Sequence, residues 1–292
     1  MTTPVAGRER AADRERALAR IVLCADDYGM APGVNRAICD LIARGRLNAT
    51  SVMVGAPSFA AADAQALAAP AADRAFIGLH FTLTAPFRPA SSGYRPTGRD
   101  GAFFGLARTF ATGWLGRLDP EALAAEAATQ FAAFRSTFGK PPDFVDGHQH
   151  VQVVPQVGDV MIAAMKEHAP SAWLRQCGRV ATVQRWGDPK GFLLDLMSRR
   201  LAAASARGGI TTNPAFAGTY DFHRDRRYDA LFDSFLDGLP DGGVVMCHPG
   251  HVDTELKRLD DFLAMREEEY AFFAGERFPQ FLASRGFALA RP

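Results

Sequence analysis

The sequence predicts a single α/β domain built on a parallel sheet. Short runs such as Ile21-Val22-Leu23-Cys24-Ala25 and Val244-Val245-Met246-Cys247 are apolar without alternation, as strands covered on both faces must be. Helical patterns fall between these runs, and strands alternating with helices argue for β-α-β units. The composition, 48% hydrophobic and 22% charged over 292 residues, allows one large core. The pattern leaves open whether the sheet is open or closed on itself.

The elements follow in order. After Ile21–Ala25, residues 31–44 read as a helix with Val34, Ile38, Leu41 and Ile42 on one face, ended by Gly45. Residues 51–55 and 76–81 read as strands, with an alanine-rich helix over 58–67 between them. Residues 84–116, rich in Gly, Pro and Arg, read as a functional loop. Asp119 before Pro120 marks a helix start. Leu123, Ala127, Phe131, Phe134 and Phe138 form its apolar stripe, and Gly139 with Pro141-Pro142 ends it. Residues 144–154 read as a strand, 156–168 as a helix and 172–175 as a short strand. Helices are expected over 192–204 and 228–239, then strands over 243–247 and 287–289 with helix between.

Bulk properties exclude several roles. A net charge of +1 gives no electrostatic case for nucleic acid or an anionic membrane surface, and a small neutral or weakly charged substrate fits better. No stretch approaches the roughly 18 apolar residues of a membrane span. Residues 1–20 lack the apolar core of a signal peptide, so they are expected to be a flexible leader before a domain over 21–292, in the cytoplasm. Cys24, Cys39, Cys177 and Cys247 show no CxxC spacing, and Cys24 and Cys247 read as buried thiols.

Chemistry-bearing residues gather at strand ends, where α/β folds place function: Asp26-Asp27, His80, Asp146-Gly147-His148-Gln149-His150, and His248-Pro249-Gly250-His251. Five of the seven histidines, all but His168 and His223, fall in these clusters. Each cluster alone has a structural explanation: a turn for the aspartates, a satisfied core histidine for His80, loop chemistry for His248. In the third cluster, strand alternation would put Asp146, His148 and His150 on one face, which is costly unless they are paired or bind metal. One site explains all four. Two imidazoles and a carboxylate make a three-ligand set for a divalent ion, which lowers the pKa of its water to about 7 and polarises a carbonyl. A second aspartate as base and a further histidine as acid complete the inventory for acyl hydrolysis.

Ala25-Asp26-Asp27-Tyr28-Gly29-Met30 with Gly33-Val34-Asn35, Gly78-Leu79-His80-Phe81-Thr82-Leu83-Thr84, Asp146-Gly147-His148-Gln149-His150-Val151 with Pro155, and Met246-Cys247-His248-Pro249-Gly250 together resemble the four ordered motifs of the YdjC/ChbG carbohydrate deacetylase family, which includes a hopanoid-biosynthesis-associated branch. The resemblance implies a distorted, TIM-like (β/α) barrel, often dimeric, that hydrolyses acetamido groups of chitooligosaccharides or related N-acetyl sugars. Carried over by position, it implies Asp27, His80 and His148 as metal ligands, Asp26 as base and His248 as acid, with His150 a reserve ligand. The cofactor is one divalent ion: the donor set suits Zn2+, Co2+ or Mn2+, while the resemblance points to Mg2+. Two positions depart from the family pattern. Tyr28 stands where phenylalanine is usual, adding a hydroxyl expected near the metal, and Gln152 replaces a histidine, weakening any case for a second metal. Arg175 is a candidate to position substrate or orient Asp26, and Phe216, Tyr220 and Trp173 are candidate stacking surfaces for a sugar or else core. The competing readings are a metal-dependent hydrolase of another amide or ester, and a catalytically silent sugar-binding protein.

Overall fold

The computed structural model describes residues 18–95, 97–180, 189–220 and 227–291; the leader expected over 1–20 lies outside these up to position 17. Seven parallel strands form one curled sheet in the order β5 (Trp173–Leu174), β4 (Phe144–Gly147), β3 (Phe76–Phe81), β2 (Ala49–Val52), β1 (Ala19–Tyr28), β7 (Val244–Cys247) and β6 (Phe216–Ala217). The eighth, β8 (Phe287–Leu289), pairs with the first residues of β1. The helices are α1 (Pro32–Ala43), α2 (Ala61–Ala71), α3 (Leu106–Trp114), α4 (Pro120–Phe138), α5 (Pro155–His168), α6 (Pro189–Gly208), α7 (Tyr228–Phe235), α8 (Leu256–Leu259), α9 (Leu263–Ala274) and α10 (Phe278–Ser284). The result is the single-domain, TIM-like distorted barrel that the motifs imply, curled as a half-barrel.

Its centre is β1. Ile21 to Ala25 are buried throughout, which is why the strand reads as an unbroken apolar run. At its base Asn48 replaces missing ladder bonds: its Oδ1 accepts from Leu23 N at 2.7 Å, and its Nδ2 donates to Ile21 O and Ala290 O, both at 2.9 Å. Gly78 on β3 lets Phe144 of β4 lie across it, since a Cβ there would come within 2.4 Å of that ring. Phe144 in turn stacks on Trp173 at 4.6 Å, so Trp173 belongs to packing rather than to a sugar surface.

The sheet curls because its two edges are drawn together. Leu174 bridges to Thr212, and Asn213 accepts from Gln176 N at 2.8 Å and donates to Gln176 O at 3.1 Å. The chain from 212 to 217 thereby links β5 to β6.

Helix α4 begins and ends as the sequence predicts. The Asp119 carboxylate accepts from Glu121 N and Ala122 N, Pro120 opens the first turn, and Gly139 closes the helix at φ +70°. Two expectations need correction. The loop over 84–116 contains α3, an amphipathic helix hidden in glycine-rich sequence. The strand expected over 144–154 stops at Gly147, and His148–Val153 form a 3-10 turn. Gln149 (φ +54°) and His150 (φ +60°) are left-handed, a conformation no strand continues through. Among the described residues no helix is long and apolar enough to cross a membrane.

Replacing Asn48 with alanine removes the partners of Leu23 N and Ala290 O, at about 1–3 kcal/mol for each group, while Ile21 O keeps its bond from Ala290 N at 2.8 Å. Urea unfolding of Asn48→Ala is expected to show a loss of at least ~2 kcal/mol with an unchanged slope; a loss below ~0.5 kcal/mol would contradict this account of the barrel's base.

Candidate metal centre

Regular pleating would send Asp26 and Asp27 to opposite faces of β1. The ladder between β1 and β2 prevents this: it pairs Ala25 with Thr50 and then Tyr28 with Val52, so β1 carries one extra residue. Asp27 absorbs the bulge at φ +70°, a left-handed conformation that costs a non-glycine residue on the order of 1 kcal/mol. Both carboxylates then reach the surroundings of His80. The Tyr28 hydroxyl lies 3.8 Å from Cys39 Sγ, against α1, so it is a helix contact and not the group near the metal expected from sequence.

Asp27, from the end of β1, His80 of β3 and His148 just after β4 converge. One ligating atom from each lies within 4.8 Å of the others, and all three residues are buried. Asp27 Oδ1 sits 3.3 Å from His80 Nε2 and 3.0 Å from His148 Nδ1. Burial disfavours a charge on His80, but Asp146, Asp27 and Asp26 outweigh it and raise its pKa to about 10. Burial likewise opposes ionisation of Asp27, yet Arg266 and the two histidines hold its carboxyl well below the usual range. A pocket that stabilises positive charge among one carboxylate and two imidazoles fits a divalent cation.

Behind His80 stands a second layer. Asp146 Oδ1 takes His80 Nδ1 at 2.6 Å, so Nε2 is the nitrogen turned toward Asp27, the arrangement that orients metal-binding imidazoles. Ser51 Oγ lies 3.0 Å from the same Nδ1 and donates to Asp26 Oδ1 at 3.2 Å. Arg175 is fully buried. Its Nη1 and Nη2 donate to Asp26 Oδ1 and Oδ2, both at 2.6 Å, and Nη1 lies 3.0 Å from Asp146 Oδ2. Burial would raise the Asp26 pKa, but the Arg175 ion pair overrides it and holds the carboxyl below the usual range. Of the two roles weighed for Arg175, the geometry matches orientation of Asp26.

His248 follows β7 and is half-buried. Burial lowers its pKa, against the pull of Asp27 and Asp26. Its backbone N–H donates to Glu269 Oε2 at 2.5 Å, and Glu269 Oε1 accepts from Tyr220 OH at 2.5 Å. Burial pushes the Glu269 pKa up to about 7 despite these bonds.

Several candidates stand elsewhere. His150 does not share the face of His148; its left-handed backbone turns it toward Cys177 Sγ at 3.5 Å and the edge of Phe216, ring centroids 5.7 Å apart. Burial drops its pKa to about 3, with Arg175 adding to the effect. Phe216 is buried between His150 and Arg175 and offers no open ring to a sugar. Tyr220 is half-buried with its hydroxyl on Glu269. His251 packs against Tyr270 at 4.2 Å. Gln152 is a buried staple, donating to Arg175 O at 3.2 Å. Sequence reasoning assigned no role to Ser51, Arg266 or Glu269, and Asp146, flagged there as costly unless paired or metal-bound, is paired with His80 and Arg175. Arg266 and Glu269 are charged residues on the buried face of α9, beside Met265 and Phe273, and that misplacement of charge is the signal that could have found them.

The model of the YdjC-like protein family matches residues 20–284. Chitooligosaccharide deacetylase of Yersinia pestis bv. Antiqua (strain Angola) is 25% identical over 279 residues, covering 92% of this chain and 96% of the relative. The enzyme of the same description from Yersinia pseudotuberculosis serotype O:1b (strain IP 31758) matches at the same identity and coverage. A crystal structure from Enterococcus faecalis V583, of a protein assigned a proposed role in cellobiose-phosphate cleavage, superposes with a TM-score of 0.74 at 19% identity, over 94% of this chain and 97% of that one. That likeness concerns the fold. A family match running from the first strand into α10, and so across every strand-end cluster that builds the centre, shows that the chain belongs to the YdjC-like family.

Proposed function

We propose that this protein is a metal-dependent hydrolase that removes the acetyl group from the nitrogen of an N-acetylated sugar. The observation that carries the reading is the buried convergence of Asp27, His80 and His148. The substrate class follows the relatives described as chitooligosaccharide deacetylases, which the chain matches over nearly their whole length.

Asp27, His80 and His148 would hold one divalent ion, Mg2+ or Zn2+, and the two imidazoles favour Zn2+. Such an ion polarises the acetamide carbonyl and makes water nucleophilic near neutral pH. The chain's own residues do the rest. Asp26 accepts the proton of the attacking water; its Oδ1 is engaged by Arg175, Ser51 and Cys24, so Oδ2 has the freer lone pair. Arg175 keeps that carboxylate ionised and aimed. His248 carries a proton to the amine nitrogen as the C–N bond breaks, and acetate leaves with the water's oxygen. Glu269 holds the backbone of His248 and so fixes where its ring stands.

Mass spectrometry of products from a panel of N-acetylated sugars is expected to show loss of one acetyl unit and release of acetate, abolished by chelator and restored by metal. Turnover of another ester or amide with no acetate from any sugar would replace this reading with the broader hydrolase. Tight sugar binding without turnover by the metal-loaded protein would leave a sugar-binding protein.

Asp26→Asn is expected to lose activity by roughly 10^2-fold or more with its metal content intact, measured by acetate release and elemental analysis. Equal loss of metal would place Asp26 among the ligands instead.

Glu269 also yields a pH dependence. Its carboxyl pKa is raised in the fold, so ionising it costs stability progressively as pH rises from about 4.5 to about 7. Glu269→Gln removes that cost, so the variant's stability relative to the parent should rise over this window in thermal unfolding. A constant difference across the window would refute the assignment.

A further inference from the structure

The neighbours of the pocket act on its donor atoms in opposite senses. Asp146 stands behind His80 and strengthens Nε2 as a donor. The neighbour of Asp27 is a cation. Arg266 Nη2 donates to Asp27 Oδ2 at 2.6 Å, and its Nε donates to Asp260 Oδ2 at 2.5 Å. The residue is only 4% exposed. Its backbone is pinned as well, since Arg266 O accepts from Gly250 N at 3.0 Å. The guanidinium plane therefore bridges two carboxylates in a fixed orientation that a lysine could not reproduce. Asp27 Oδ2 is occupied, and Oδ1 faces His80 and His148.

We propose that Arg266 is a positioning residue that confines Asp27 to one-oxygen donation and holds the ion affinity of the pocket below that of the same three donors without it. This rests on the metal-dependent reading above. The physical reason is charge: hydrogen bonding to a cation withdraws electron density from the carboxylate, and the cation itself opposes a second cation close by. A weakly donating Asp27 leaves more positive potential for the substrate carbonyl, so affinity is given up for reactivity.

The test is the Kd for Zn2+, by competition with a chelating dye, and for Mg2+ by calorimetry, with folding checked by circular dichroism. Arg266→Met is expected to bind Zn2+ on the order of tenfold more tightly while its kcat for deacetylation falls. Arg266→Lys keeps the charge but not the bridge between the two carboxylates, and its Kd is expected to fall between those of the parent and Arg266→Met. Unchanged or weaker binding by folded Arg266→Met overturns the inference. Should that variant fail to fold, Asp260→Asn serves, because it leaves the Arg266 charge undivided on Asp27; its Kd is expected to rise several-fold, and an unchanged or lower Kd overturns the inference. A parent protein that binds neither ion sinks the metal reading and this inference with it, whereas a parent that binds and variants that do not differ sink the inference alone.

Discussion

A relay of alternating acids and bases runs through the core: Asp260, Arg266, Asp27, His80, Asp146, Arg175 and Asp26, each within hydrogen-bonding or ion-pair distance of the next. Isolated, any one of these buried charges would be prohibitively costly. In sequence along the relay each carboxylate is compensated by a cation or an imidazole on both sides or at its end. The barrel tolerates them only as a set. His80 sits at the middle, with one ring nitrogen on each half, and so couples the Asp27 side of the centre to the Asp26 side.

The same coupling explains why the backbone is unusual just here. The three left-handed non-glycine residues among those described are Asp27, Gln149 and His150, all at strand ends that feed the centre. Such conformations persist where surrounding contacts over-determine them. Asp27 is held by Arg266 and two histidines, and His150 by its packing against Cys177 and Phe216. The strain re-aims side chains that an ideal strand would point elsewhere, which is how two adjacent aspartates come to serve one site.

Helix α9 is the element that turns a fold into a site. From one buried face it sends Arg266 to Asp27 and Glu269 to the backbone of His248, so the proposed metal-ligand side and the proposed proton-transfer side share one support. Arg175 plays the equivalent part across the barrel, reaching Asp26 and Asp146 from the end of β5. Between them these residues leave few degrees of freedom to the groups proposed to carry the chemistry.

The sequence by itself determined the α/β class, the parallel strands β1, β3 and β7, the ends of α4, and the gathering of ionisable clusters at strand ends, from which the family resemblance singled out Asp27, His80 and His148. Those features are local: unbroken apolar runs, a capping aspartate before proline, a terminal glycine, and ionisable residues placed where strands end. Tertiary structure alone decided the rest. The strand expected beyond Gly147 breaks into left-handed turns, which separates His150 from His148; nothing in Gln149-His150 announces it, because the conformation is imposed by packing. Arg175 and Phe216 turn inward, and Arg266 and Glu269 turn from helix-surface residue types into partners of the centre, for the same reason. Which neighbour satisfies a buried charge depends on contacts between segments as far apart as Asp27 and Arg266, and such contacts exist only once the sheet has curled.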